Sequence, residues 1–383
     1  LRGGLIKVGQ ILSTRVDLLP PGWTEELAGL QDEVEPMPWE DIAEHLEASY
    51  GLPIEELFAS LEHDAHAAAS FGQVHRGVTK DGVEVALKIK YPDVEMKLGV
   101  DMYLFGWAVR FFNVFLPAIS LRPVYEEVRR ALVTELDYEQ EARFTRAVHD
   151  HFEGRPGVVI PRVIDELTTR AVICTTWFDG IKITKPEVLE HPGLDRVKLL
   201  ERLLRTWIEM MYVDGVFQSD PHPGNLLVHV DDVGEPTLCV VDFGQVKILS
   251  PEFHRKLVSS VMAFAMGNED MFVGSLAALG LFPESQKEKM QPIVAHLMRR
   301  LRDERPADGR EPDFAAVRDL VLDTLGRMEG VVIPQELVLY GRTFALLAGV
   351  ARAVAPRVNP LALARPILTQ ALLAGGPPPQ PVA

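Results

Sequence analysis

The sequence predicts an α+β chain of two lobes, and three observations carry that prediction. Alternating, strand-like runs, "SFGQVHRGV" and "VEVALKIKY", fall early in the chain. From about residue 184 onward the chain reads as mostly helical, interrupted by one hairpin. A length of 383 residues with 47% hydrophobic side chains is enough for more than one core.

The elements follow in order. Leu5, Val8, Ile11 and Leu12 recur at helical spacing, and "LLPPGW" ends that helix. "MPWEDIAEHLEASYG" predicts a second helix with Gly51 as its stop. The two strand-like runs are joined by "TKDG", in which Asp81-Gly82 is a hairpin signal. A helical region covers about residues 93–152, broken near Pro117 and Pro123. "RAVICTTWF" reads as a strand and Asp179-Gly180 as a turn. "NLLVHV" and "TLCVVDF" form the later hairpin around "DDVGEP". The organisation that results is a helical extension over 1–60, a first lobe over 61–178 and a helix-rich second lobe over 179–375. The Pro-rich tail, 376–383, is expected to be disordered.

Composition excludes several classes. The balance of 39 basic against 55 acidic side chains gives a net charge of −16, which suits no nucleic-acid coat. Cys174 and Cys239 both lie in apolar runs, so neither a disulfide framework nor a zinc pattern is present. Leu1 predicts a processed or trimmed start, and no signal peptide is visible. The stretch Tyr103–Leu121 is apolar except for Arg110, Asn113 and Ser120. Arg110 and Pro117 argue against a membrane span there. It reads as a helix buried between lobes, with a lipid-contacting surface as the alternative. Nothing near the C-terminus reaches the ~18 uninterrupted apolar residues of a membrane helix. The expectation is a cytoplasmic chain, at most peripheral to a membrane.

The chemistry is concentrated in "FQSDPHPGNLLVHVDDVGEPTLCVVDFGQV". Asp220 precedes Asn225 by five positions, and a hairpin then delivers Asp242-Phe243-Gly244. In kinase-like phosphoryl transfer, a D-x-x-x-x-N loop supplies an acid near the nucleophile and an amide for metal. The aspartate of D-F-G holds the magnesium that bridges the nucleotide phosphates. Each motif alone is ordinary loop chemistry; both in order, joined by a hairpin, are specific. Upstream, Lys88 stands in a strand whose Val85, Leu87 and Ile89 set an alternating face. A lysine there can pair with phosphates and with a helix glutamate. Lys90 shares that face and competes for the role, and V-A-x-K favours Lys88. Read alone, either is a solvated strand lysine.

At these residues the chain resembles the UbiB family of atypical kinases, also called AarF-domain-containing kinases. "LIKVGQILSTRVDLLP" matches the family's K-x-G-Q signature at Lys7, Gly9 and Gln10. "AAASFGQVH" matches its alanine-rich nucleotide loop, here Ala67, Ala68, Ala69, Ser70, Phe71, Gly72, Gln73 and Val74. "ELDYEQEA" matches its E-x-D signature at Glu135 and Asp137, with Glu141 where the family places the partner of the strand lysine. The resemblance covers residues 1 to about 250 in order, and the helical remainder by position. It implies a protein-kinase-like fold binding ATP with magnesium or manganese. Asn225 and Asp242 would be the metal ligands, Asp220 the acid at the attacking group, and Lys88 and Glu141 an ion pair. It also implies that the Lys7–Gln10 helix lies over the active site, engaged by Glu135 and Asp137, and blocks peptide substrates. By spacing alone, Lys7 and Gln10 are a polar helix face, and Asp137 and Glu141 share a face that Glu135 does not. Ala67–Ser70 read alone is a tight turn with Ser70 as a cap. One departure stands out: Gln218 occupies a position where family members often carry histidine.

Two classes of function remain. One is an ATPase or a kinase of a small-molecule or lipidic acceptor, supporting quinone or isoprenoid-lipid metabolism as the resemblance implies. The other is a nucleotide-binding regulatory module without turnover. Intact Lys88, Asp220, Asn225 and Asp242 favour the enzyme. A small-molecule kinase of the choline or aminoglycoside type leaves "KVGQ" and "AAAS" unexplained.

Overall fold

The computed structural model describes residues 35–115, 122–303 and 333–374. Two compact units divide the chain. The first holds residues up to Arg146, Pro161–Phe178 and Asp242–Gly244; the second holds Ala147–Ile160, Asp179–Val241 and Gln245 onward.

The first unit begins with α1 (Trp39–Tyr50), which ends where Gly51 takes a left-handed φ of 70°, the conformation glycine adopts without steric cost. After the single turn α2 (Ile54–Leu57), an antiparallel sheet is built from β1 (Phe58–Leu61), β2 (Ala67–Ala68), β3 (Gly72–Thr79), β4 (Glu84–Lys90) and β6 (Val172–Thr176). The order is β1-β3-β4-β6, with β2 paired to β3. Val85, Leu87 and Ile89 are fully buried, as their alternation predicts, and join Ile42, Leu46, Val128 and Leu132 in one core. Helices α3 (Val94–Phe115), α4 (Arg122–Glu135) and α5 (Tyr138–Phe152) follow β4.

Two readings of this region are corrected. The helix expected to be buried buries only one side: Val94, Leu98, Met102 and Val109 face the protein, whereas Tyr103, Leu104, Trp107 and Phe111 are each 58–66% exposed. Large apolar side chains stand on both sides of α3, so its composition could not say which were covered. Residues 116–121, the rest of that stretch, lie outside the described residues. Secondly, Asp137 and Glu141 do not share one continuous helix face. The chain breaks at Leu136–Asp137, and Asp137 caps α5, its carboxylate accepting from Gln140 N at 2.9 Å.

In the second unit β5 (Val158–Val159), β10 (Pro236–Val240), β9 (Leu226–Val230) and β7 (Ile181–Lys182) form one sheet in the order β5-β10-β9-β7. The β9–β10 pair is the expected hairpin, from Leu226 opposite Val240 to Val230 opposite Pro236. A second, two-stranded sheet pairs β8 (Val216–Gln218) with β11 (Val246–Ile248). The short α6 (Pro186–Leu189) precedes α7 (Arg196–Glu209), which is capped by Asp195 and runs into a π-helical turn, Met210–Asp214. The rest is helical: α8 (Pro251–Met266), α9 (Glu269–Ala278), α10 (Lys287–Asp303), α11 (Gln335–Val354) and α12 (Pro360–Ala374). Among the described residues α11 alone is long and apolar enough to cross a membrane by length and composition, with mean hydropathy 1.4 over its window. Glu336, Arg342 and Arg352 interrupt its apolar run. Cys174 and Cys239 are both free and buried.

Candidate functional site

Lys88 is on β4 opposite Val74 of β3, and its strand neighbours turn into the core. Its ammonium donates to both carboxylate oxygens of Glu141, at 2.8 and 2.9 Å, and to Asp242 Oδ2 at 3.2 Å. The Tyr138 ring lies 5.2 Å from the same nitrogen. Burial opposes the Lys88 charge, but Asp242 and Glu141 together hold its pKa well above the ordinary lysine value. Glu141 is pushed up to about 7, first by burial, and further by the nearby negative charges of Asp242 and Glu135, against the pull of Lys88. Two carboxylates, Glu141 and Asp242, thus share one cation.

Asp242 holds this position at a backbone cost. Its φ is 63°, a region an aspartate enters more easily than most residues, and its Oδ1 accepts from Gly244 N at 3.1 Å. Phe243 is buried beside it, 1% exposed. The half-exposed Asp242 carboxylate is therefore aimed by the chain on both sides of it.

Lys90 has a different fate from Lys88. It is buried and donates to Leu136 O at 2.7 Å and Glu95 Oε1 at 3.0 Å, with the Tyr138 ring 4.9 Å away. The chain break at Leu136 supplies that carbonyl, so Lys90 holds the α4–α5 junction. Of the E-x-D pair, Asp137 is spent on the α5 cap, and Glu135 is near enough to raise the pKa values of Glu141 and Tyr138. Lys7 and Gln10 lie outside the described residues.

The alanine-rich loop is a hairpin tip. Ala67 and Ala68 pair with Val74 and Gln73, and Ala69 N donates to Gly72 O at 2.8 Å. Ser70 precedes a strand, so it caps no helix. Gly72 is required by close approach: a Cβ there would meet Ile89 O at 2.4 Å and the Tyr138 hydroxyl at 2.7 Å. Two side chains of the loop are buried. Phe71 is in the core. Gln73 is 1% exposed; its Oε1 accepts from Met37 N at 2.7 Å and its Nε2 donates to His75 Nε2 at 2.8 Å. His75 Nδ1 faces Glu62 O at 2.8 Å, which fixes the proton on Nδ1. Strand alternation accounts for this burial: Gln73 is opposite the buried Ile89, whereas Val74 is opposite Lys88.

In the second unit, Asp220 and Asn225 sit on the loop between β8 and β9. The Asp220 carbonyl accepts from His222 N at 2.7 Å, Gln218 Nε2 at 2.7 Å and Asn225 Nδ2 at 3.3 Å. Gln218 thus braces the loop directly, which answers how it does so in place of histidine. Trp207 Nε1 donates to Gln218 O at 3.0 Å, and Ser219 N donates to Gln245 O at 2.8 Å. With its amide nitrogen spent on Asp220, Asn225 presents Oδ1, the atom type a magnesium ion takes. Sequence reasoning missed Tyr138, Arg342 and Thr343. Thr343 of α11 donates to Ser219 O at 3.1 Å, a contact with no local signal across 124 residues.

Among the described residues no three His, Cys, Asp or Glu side chains form a metal cage by themselves. Taken singly, the Asp242 carboxylate and the Asn225 amide oxygen are each the type of donor magnesium takes, an ion that keeps several waters and needs only one or two carboxylates plus phosphate oxygens. A cavity of about 420 Å³ lined by Leu98, Met102, Leu132 and Asp137 lies nearby, but neither Lys88 nor Asp242 lines it.

The model of the ABC1 atypical kinase-like domain matches residues 29–275. A probable protein kinase UbiB of Shewanella pealeana is 32% identical over 378 residues, covering 95% of this chain and 67% of that protein. An uncharacterized Synechocystis protein, sll1770, is 31% identical over 368 residues, covering 95% of this chain and 62% of its own length. Among solved structures, the complex of Rv3197 with erythromycin from Mycobacterium tuberculosis has a TM-score of 0.61 at 23% identity, covering 92% of this chain and 89% of that one; this likeness concerns the fold. The chain spans about half to two thirds of the length of several curated relatives it matches.

Proposed function

The chain belongs to the ABC1 atypical kinase-like family, and we propose that it is an ATP-dependent phosphotransferase or ATPase acting on a small or lipidic acceptor, in support of quinone or isoprenoid-lipid metabolism. The observation that carries this reading is Lys88 bound by Glu141 and Asp242 at once. Lys88 and Glu141 form the ion pair required of an active kinase-like site, and Asp242 is the D-F-G acid. A module without turnover has no need to keep all of Lys88, Asp220, Asn225 and Asp242.

Asp242 and the Asn225 amide oxygen would hold magnesium or manganese, which when bound neutralises charge on the nucleotide phosphates. Two carboxylates, Glu141 and Asp242, share the single ammonium of Lys88, an electrostatic environment that a divalent cation suits. Lys88 binds a phosphate oxygen, Glu141 holds Lys88 in place, and Asp220 takes the proton of the attacking group. Asp242→Asn removes one charge from the metal site while preserving shape. Calorimetric titration with Mg-ATP is expected to show affinity weakened by at least about tenfold, or ~1.4 kcal/mol. Wild-type affinity in that variant would sink the metal assignment.

The proposed location is cytoplasmic, with peripheral contact to a lipid surface through α3. Met96, Val100, Tyr103, Leu104 and Trp107 recur at helical spacing and are all more than half exposed. An apolar helix face carrying Tyr and Trp is the kind that settles at a headgroup boundary. Co-sedimentation with phosphatidylcholine–phosphatidylglycerol vesicles is expected for the wild type and lost in Leu104→Glu/Trp107→Glu. Equal sedimentation of both proteins would remove α3 as the contact.

A further inference from the structure

The loop that carries Asp220 and Asn225 has no cation of its own: from Ser219 to Leu226 it reads Ser-Asp-Pro-His-Pro-Gly-Asn-Leu. Phosphoryl transfer depends on positioning and on charge stabilisation at the phosphoryl oxygens. The second unit supplies a cation at that loop from far along the chain. Arg342 of α11 places Nη2 3.7 Å from Asp220 Oδ1.

Three features separate this arrangement from an ordinary surface ion pair. First, 3.7 Å is too long for the bidentate 2.7–2.9 Å geometry of a committed arginine–carboxylate pair, so the guanidinium keeps most of its five donors. Second, the Arg342 side chain is 44% exposed while Asp220 is 24% exposed, so the donors are reachable from solvent at the acid itself. Third, the helix next to Arg342 is fixed. Thr343 is fully buried and its hydroxyl faces Ser219 O at 3.1 Å and Leu339 O at 2.9 Å. Tyr340 meets Tyr212 of the π-helical turn edge-on at 6.3 Å, and Lys247 lies 3.7 Å from Glu336. A surface pair of long side chains needs no such anchoring.

We propose that Arg342 is the phosphate-binding cation of the catalytic loop, a group that leaves Asp220 to grip a phosphoryl-type anion. Arginine suits this role because its planar fork matches phosphate oxygens and it stays charged. The anion is either the terminal phosphoryl group of ATP or an anionic group on the acceptor; both present the same oxygens. The inference rests on the phosphotransferase reading above.

The test uses the full chain and the variants Arg342→Gln and Arg342→Lys. Calorimetry with magnesium measures ATP, ADP and inorganic pyrophosphate. Thermal melting confirms that the variants fold; Arg342→Lys, which retains the charge, is the control for packing. If the terminal phosphoryl group is the ligand, the affinity advantage of ATP over ADP falls by about 10- to 100-fold in Arg342→Gln. Arg342→Lys then recovers part of that advantage. An unchanged ATP-to-ADP ratio with pyrophosphate binding lost in Arg342→Gln assigns the anion to the acceptor. If the wild type binds no Mg-ATP, the phosphotransferase reading fails by itself, and the pyrophosphate comparison still decides the role of Arg342. Retention of both the ratio and pyrophosphate binding in Arg342→Gln overturns the proposal.

Discussion

Asp220→Asn is expected to slow phosphate release from ATP by about 10²–10⁴-fold, the range a positioned base contributes, while leaving Mg-ATP binding near the wild-type level. The loop does not depend on the carboxylate for its shape. It is the Asp220 carbonyl that receives the bonds from Gln218, His222 and Asn225, and asparagine keeps that carbonyl. Asn225 also stays oriented, because its partner is backbone. The substitution therefore removes the proton acceptor and the charge facing Arg342, and leaves the backbone bracing of the loop in place. Single-turnover phosphate release, read beside nucleotide-dependent thermal stabilisation, separates the two effects. Undiminished turnover would mean that water or the acceptor supplies the base.

Lys88→Met is expected to lower stability by about 3–5 kcal/mol at pH 8, the cost of leaving one partner of a buried ion pair alone, and by clearly less at pH 6. The sign follows from Glu141. Its carboxyl is raised from the usual 4.5 to about 7 in the folded protein. Between those values the folded state holds more protons than the unfolded chain, so stability falls as pH rises through that window. Near pH 6 Glu141 is mostly protonated, and removing Lys88 strands little charge. At pH 8 it is mostly ionised beside Lys88, and without the ammonium its carboxyl must stay charged alone or take up a proton, a cost that grows with pH. Adding Glu141→Gln to Lys88→Met should recover much of the loss at pH 8. Urea unfolding at both pH values measures this. Equal losses at pH 6 and pH 8, with no recovery in the double variant, would contradict the assignment.

Much of the fold was legible because it is local. Alternation at Val85, Leu87 and Ile89 set β4, Gly51 stopped α1, and "DDVGEP" closed the β9–β10 hairpin; each rests on dihedral preference or periodicity within a few residues. The order of Lys88, the Asp220–Asn225 loop and Asp242 was equally legible, because the spacing of ligands along one chain is a property of sequence.

What the sequence by itself determined, then, is which residue types stand at which faces and spacings; what stands opposite them was decided by tertiary structure. Lys88 and Lys90 share one face of one strand, yet only Lys88 meets Glu141 and Asp242, because the chain break at Leu136 turns a carbonyl toward Lys90. Asp137 looked like a helix-face partner of Glu141 and became the α5 cap when that same break ended α4. The exposed side of α3 carries Tyr103, Leu104, Trp107 and Phe111 as well as charged residues, and only packing could say that these large apolar side chains stay uncovered. Arg342 and Thr343 reach the Asp220–Asn225 loop from more than a hundred residues away. Periodicity records how a side chain leaves its own backbone. It holds no record of which distant element completes the contact, and for buried ion pairs and anchored cations that contact carries the chemistry.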